Sequence, residues 1–151
     1  MGIRTKPPGP DLMLNILADF RFELRNFLHF SESVAVKAGL EPQQHQLLLQ
    51  VAGAPAGALV TITYAAQRLR LQHNSAVELV NRSVREGLLL RTSDAGDRRR
   101  VILQLTRKGQ RVLDSLTAEH ARELSELAPR LALALKRIRE YTLRANVTEA
   151  Q

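Results

Sequence analysis

The sequence predicts a mainly α-helical fold carrying one small β-hairpin. Three observations lead there. Apolar residues recur at steps of three and four along most of the chain. The step falls to two between Leu88 and Leu105. Glycines and prolines stand where the helical runs end. With 151 residues, 44% of them hydrophobic, the chain is long enough to bury a core without a disulfide or a metal.

Met1 to Pro10 contains Pro7, Pro8 and Pro10 and reads as a loose arm. Its Arg4 and Lys6 have no apolar run behind them, so it is not a secretory leader. Asp11 is placed to cap a helix reaching Lys37, whose stripe is Leu12, Ile16, Phe20, Leu24, Phe27 and Leu28. Gly39 ends it, and Pro42 opens a second helix running through Val51. Gly53, Pro55 and Gly57 make a loop, and Leu59 to Thr61 is a short extended stretch. Thr61 or Thr63 then caps a short helix holding Ala65, Ala66 and Leu69.

After a turn at Arg70 and Leu71, a helix begins at Gln72 or His73 and ends at Glu86, with Gly87 as its terminator. Leu88 to Leu105 alternates as a hairpin whose tip, Ser93 to Asp97, has turn chemistry. Thr106 caps the next helix. Pro129 predicts a break or kink, with a last helix from Arg130. No apolar run approaches the roughly 20 residues of a membrane span, and a cytoplasmic protein with no membrane partner is the default expectation.

The formal net charge is +7, and it is concentrated. Between Thr61 and Lys108 stand Arg68, Arg70, Arg82, Arg85, Arg91, Arg98, Arg99, Arg100, Arg107 and Lys108 against Glu78, Glu86, Asp94 and Asp97, which leaves +6 there and +1 elsewhere. A basic segment between nearly neutral flanks is the footprint of a polyanion-binding surface.

Helix, turn, helix and β-hairpin follow one another inside that basic segment. This is the plan of a winged helix-turn-helix, whose second helix presents its N-terminal residues to base edges in the major groove. Here those residues are Gln72, His73, Asn74 and Ser75; amide side chains suit bidentate contact with adenine. Arg82 and Arg85, farther along, are placed for phosphate. Arg98, Arg99 and Arg100 at the hairpin tip suit a narrow minor groove. Glu78 either accepts from cytosine N4, orients a neighbouring arginine or faces away. The domain plan is an arm at 1–10, N-terminal helices at 11–57, the winged domain at 58–106 and C-terminal helices at 107–151.

Thr61 to Gly109 resembles the MarR family of bacterial transcription regulators. The resemblance rests on Ala65 to Leu71, Ser75 to Arg82, Glu86-Gly87-Leu88, the wing Asp94-Ala95-Gly96-Asp97-Arg98-Arg99, and Leu105-Thr106 followed by Gly109. It extends over about Asp11 to Arg144. It implies a homodimer whose first and last helices form a dimerisation body. It further implies a repressor on a pseudo-palindromic operator, released by a small ligand. Asp94 and Asp97 would stabilise the wing, Asp97 by pairing with Arg99, while Arg99 or Arg98 enters the minor groove. Two positions depart from the family pattern. Ala95 stands where proline is common. Asn81 stands where aspartate is usual, which removes an expected salt bridge to Arg82.

The absence of cysteine excludes disulfides, thiolate metal sites and thiol sensing. His29, His45, His73 and His120 have no i, i+4 ligand spacing, so no metal and no cofactor is expected. No phosphate loop or nucleophile turn marks an enzyme. Arg21, Arg25, His29 and His45 are the candidate edge of a ligand cavity, suited to an aromatic or aliphatic acid. Two other classes share the charge and fold: a non-specific architectural nucleic-acid binder, and a protein–protein adaptor.

Overall fold

The computed structural model describes residues 10–149. Within them, five helices and one two-stranded sheet follow the predicted order: α1 (Pro10–Lys37), α2 (Pro42–Ala52), α3 (Ile62–Leu69), α4 (His73–Arg85), β1 (Leu89–Ser93), β2 (Val101–Leu105) and α5 (Arg107–Glu149). The mainly helical reading with a hairpin wing is borne out. Apart from Pro10, the expected arm lies outside the described residues.

Two boundaries differ from the sequence reading. Asp11, the expected cap, stands inside α1, because Pro10 already occupies a first-turn position where its missing N–H costs nothing. Pro129 does not divide the last stretch: α5 runs unbroken for 43 residues. Both Pro129 and Ser125, four residues earlier, are exposed, on a part of the helix where a lost backbone bond is least costly.

The chain forms two compact units. One joins α1 as far as Phe30 to α5 from His120 onward. Among the described residues, Ile16, Leu127 and Ala134 are its buried apolar side chains. The rings of Phe27 and Phe30 meet that of His120 edge-on at 6.0 and 5.5 Å, and Arg130 lies 3.7 Å from the Glu23 carboxylate. The same unit exposes large apolar side chains, among them Leu14 (64%), Phe22 (62%) and Leu133 (58%).

The second unit, residues 31–119, contains α2, α3, α4 and the sheet. It therefore takes in α2, which the sequence grouped with the N-terminal helices. Leu47, Leu48, Ala65, Leu79, Val80 and Leu103 are among its fully buried side chains. β1 and β2 pair antiparallel in the register Leu89 to Leu105 and Ser93 to Val101. The extended stretch before α3 joins them through one backbone bond, Leu103 N–H to the Val60 carbonyl at 2.8 Å.

Candidate nucleic-acid interface

The turn between α3 and α4 is set by backbone geometry. Thr61 caps α3, its Oγ1 accepting from the Tyr64 N–H at 3.2 Å. Arg70 closes α3 in the left-handed region at φ 55°, and the Leu71 N–H reaches back to the Ala66 carbonyl at 2.9 Å. Gln72 then returns to an extended conformation and serves as the N-cap position of α4.

Helix α4 divides cleanly by burial. Ala76, Leu79, Val80 and Ser83 form its buried side. Gln72, His73, Asn74, Ser75, Glu78 and Arg85 are exposed. The four residues expected to read bases therefore sit together on the open N-terminal end of this helix.

The C-terminal half of α4 is tied down. Arg82 is half-buried, and its Nη2 lies 3.1 Å from the Glu41 carboxylate, so this guanidinium is already engaged. Gln44 is buried at 1% exposure, and both ends of its amide are used. Its Oε1 accepts from the Glu41 N–H at 3.0 Å, and its Nε2 donates to Glu86 at 2.9 Å. The start of α2 thus holds the end of α4. Sequence reasoning missed Glu41 and Gln44; the only signal was a glutamate and a glutamine three apart at a helix start.

The wing is joined to α4 through Asn81, whose Oδ1 accepts from the Arg91 guanidinium at 2.6 Å. The substitution of Asn for the usual Asp therefore bears on Arg91, while Arg82 takes its carboxylate from Glu41. At the tip, Asp94 Oδ1 accepts from the Gly96 N–H at 3.1 Å and Asp97 Oδ1 from the Arg99 N–H at 3.0 Å. Arg100 lies 3.6 Å from Asp97 and 3.9 Å from Asp94. The expected pairing of Asp97 with Arg99 is thus made through the Arg99 backbone, and the ion pair goes to Arg100. Among the described residues, Arg98 and Arg99 make no side-chain ion pair; both are exposed. Ala95 at the tip is exposed as well.

The junction from wing to α5 explains the Leu-Thr-x-x-Gly spacing. Thr106 Oγ1 accepts from the Gly109 N–H at 3.0 Å and donates toward the Gly87 carbonyl at 2.6 Å. Gly109 is buried against the Leu88 carbonyl, which a Cβ would strike. Lys108 Nζ caps the Glu86 carbonyl at 2.8 Å, at the end of α4 where a cation is favoured.

Of the four candidate ligand-cavity residues, Arg21, Arg25 and His29 are exposed on α1, and His45 is buried on α2. Of the two described pockets, one is lined by Leu12, Ile16, Arg137, Glu140, Tyr141 and Arg144. The other lies beside the sheet, between the α2–α3 loop and β2; neither includes these four. Among the described residues no cluster of three or more His, Cys, Asp and Glu could hold a metal, and no helix is long and apolar enough to cross a membrane.

Residues 38–100 match the model of the MarR family. A MarR family protein from Bacillus stearothermophilus has the same fold at a TM-score of 0.69 and 19% identity, over 95% of this chain and 98% of the other. A mutant MepR of Staphylococcus aureus bound to an oligodeoxyribonucleotide matches at 0.61 and 18%, over 87% and 95%. CouR from Rhodococcus jostii RHA1 bound to p-coumaroyl-CoA matches at 0.58 and 25%, over 66% and 68%. No curated protein matches the chain.

Proposed function

We propose that this chain is a MarR-type regulator, a sequence-specific, double-stranded DNA-binding repressor acting in the cytoplasm as a homodimer on a pseudo-palindromic operator; the match of its residues 38–100 to the MarR family model supports the reading. The observation that carries the reading is the open end of α4. Gln72, His73, Asn74 and Ser75 are exposed together, beside a wing on which Arg98 and Arg99 are exposed and whose tip has two aspartate-braced turns. MepR bound to an oligodeoxyribonucleotide is a structural relative with this fold.

The exposed apolar side chains of α1 and α5 support the dimer. Phe22, Leu14 and Leu133 need a cover, and a second copy of the same helices supplies one. The dimerisation body is then the unit of α1 and the far part of α5, with residues 31–119 as the DNA-reading unit. A small-molecule effector belongs to the proposal too, and CouR bound to p-coumaroyl-CoA supports it. An aromatic or aliphatic acid suits Arg21, Arg25 and His29, which form a basic edge along α1.

Selection from a pool of random duplexes tests the function. The expected result is an enriched pseudo-palindrome with half-sites one helical turn apart, about 10 base pairs centre to centre. Enrichment of A·T-rich DNA without a palindrome would replace the reading by an architectural one. No enrichment at all would replace it by a protein–protein adaptor.

A further inference from the structure

Glu78 is a carboxylate in the middle of the exposed face of α4, on a surface otherwise basic or neutral. Glutamates on helices have three ordinary uses, and Glu78 has none of them. It is the sixth residue of α4, beyond the first turn where a negative charge meets the helix dipole. Its i, i+4 partner would be Arg82, but that guanidinium is held by Glu41 at 3.1 Å. Among the described residues it carries no hydrogen bond or ion pair, while Asn81 nearby is taken by Arg91. A lone carboxylate here also opposes a phosphate backbone, so it does not serve general affinity for DNA.

We propose, building on the DNA-reading function above, that Glu78 is a specificity-determining residue whose carboxylate accepts a hydrogen bond from the N4 amine of a cytosine in the major groove. The chemistry selects that base. Guanine offers only acceptors in the major groove, and adenine places its N7 acceptor beside its N6 donor, whereas cytosine presents a donor. Asn74, one turn earlier on the same exposed face, lies about 6 Å away along the axis.

The test is parallel selection from one random duplex pool, at one salt concentration, with the full-length wild type, Glu78→Ala and Glu78→Gln. The wild type is expected to select cytosine at one position in each half-site. Glu78→Ala should lose that preference by roughly tenfold or more while keeping the rest of the motif, and its affinity for random duplex should rise. Glu78→Gln should move the same position toward adenine. Should the alanine variant lose its helical circular dichroism, the isosteric glutamine variant carries the test. A wild-type motif recovered position for position by both variants would overturn the role of Glu78 and leave the DNA-reading function standing. A wild type that enriches no motif would remove both.

Discussion

The Asn81 side chain accepts a 2.6 Å hydrogen bond from Arg91, and this contact joins α4 to the first strand of the wing. One residue later, Arg82 turns the other way to Glu41. Adjacent positions on α4 thus fix it to two different partners, one in the wing and one at the start of α2.

Breaking the first link should separate stability from recognition. The Asn81–Arg91 bond is exposed, so Asn81→Ala should cost under about 1 kcal/mol of stability yet lower operator affinity by loosening the wing. Asn81→Asp should restore affinity-competent coupling and add about 0.2–1 kcal/mol as an exposed ion pair. Urea unfolding and operator titration of both variants check this. Equal affinity of wild type and Asn81→Ala would show that the link does not orient the wing.

Gln44 should be more sensitive than its place at a helix start suggests. Gln44→Leu leaves the Glu41 N–H without its acceptor and Glu86 without its donor, a loss of about 1–3 kcal/mol. Gln44→Glu should be worse at neutral pH, because it sets a carboxylate where the amide now lies 2.9 Å from Glu86. In that variant one carboxyl of the pair would keep its proton more tightly folded than unfolded. The penalty is then full only above that raised pKa, shrinks as pH falls through it and is lost below about 4. Urea midpoints at pH 7 and pH 4 measure it; a deficit equal at both would contradict the arrangement.

At Gly109, helix propensity and packing make opposite predictions. Alanine is better than glycine inside a helix by about 1 kcal/mol. Here, however, its Cβ would collide with the Leu88 carbonyl oxygen and lie 3.1 Å from the carbonyl carbon. Packing wins, and Gly109→Ala should destabilise by about 1–3 kcal/mol. A variant as stable as the wild type in urea would mean that this junction yields easily.

The three tip arginines should divide by role. Arg98→Ala and Arg99→Ala should each lower the salt dependence of DNA binding by about one unit of slope. Arg100 is occupied by Asp94 and Asp97, so Arg100→Ala should lower affinity by unbracing the tip while changing the slope less. Binding isotherms at four or five salt concentrations resolve the three. An identical loss of slope in all of them would place Arg100 on phosphate.

Much of this was legible in the sequence, and the exceptions share a cause. The open face of α4 follows from helical period, since Ala76, Leu79, Val80 and Ser83 fall on one side. Thr106 announced itself as a cap, and Gly109 as part of a motif. The closeness of Leu88 that requires the glycine is a tertiary fact with no local signal. Gln44 likewise reads as surface until the end of α4 is brought over it. Which arginine braces the wing depends on the fold of the tip loop, so Arg99 and Arg100 are indistinguishable by composition. That α5 is not broken at Pro129 is not legible locally, because the cost of a proline depends on exposure, which a helical stripe interrupted by charges does not reveal.

The central claim is sequence-specific recognition by a dimer, and one titration addresses it most directly. Fluorescence anisotropy at a fixed, physiological salt concentration would compare the enriched duplex with a scrambled duplex of the same composition, and an active titration would count chains per duplex. The account predicts a preference of about 10³ or more and two chains on each duplex. A ratio near one would contradict it, whatever the absolute affinity.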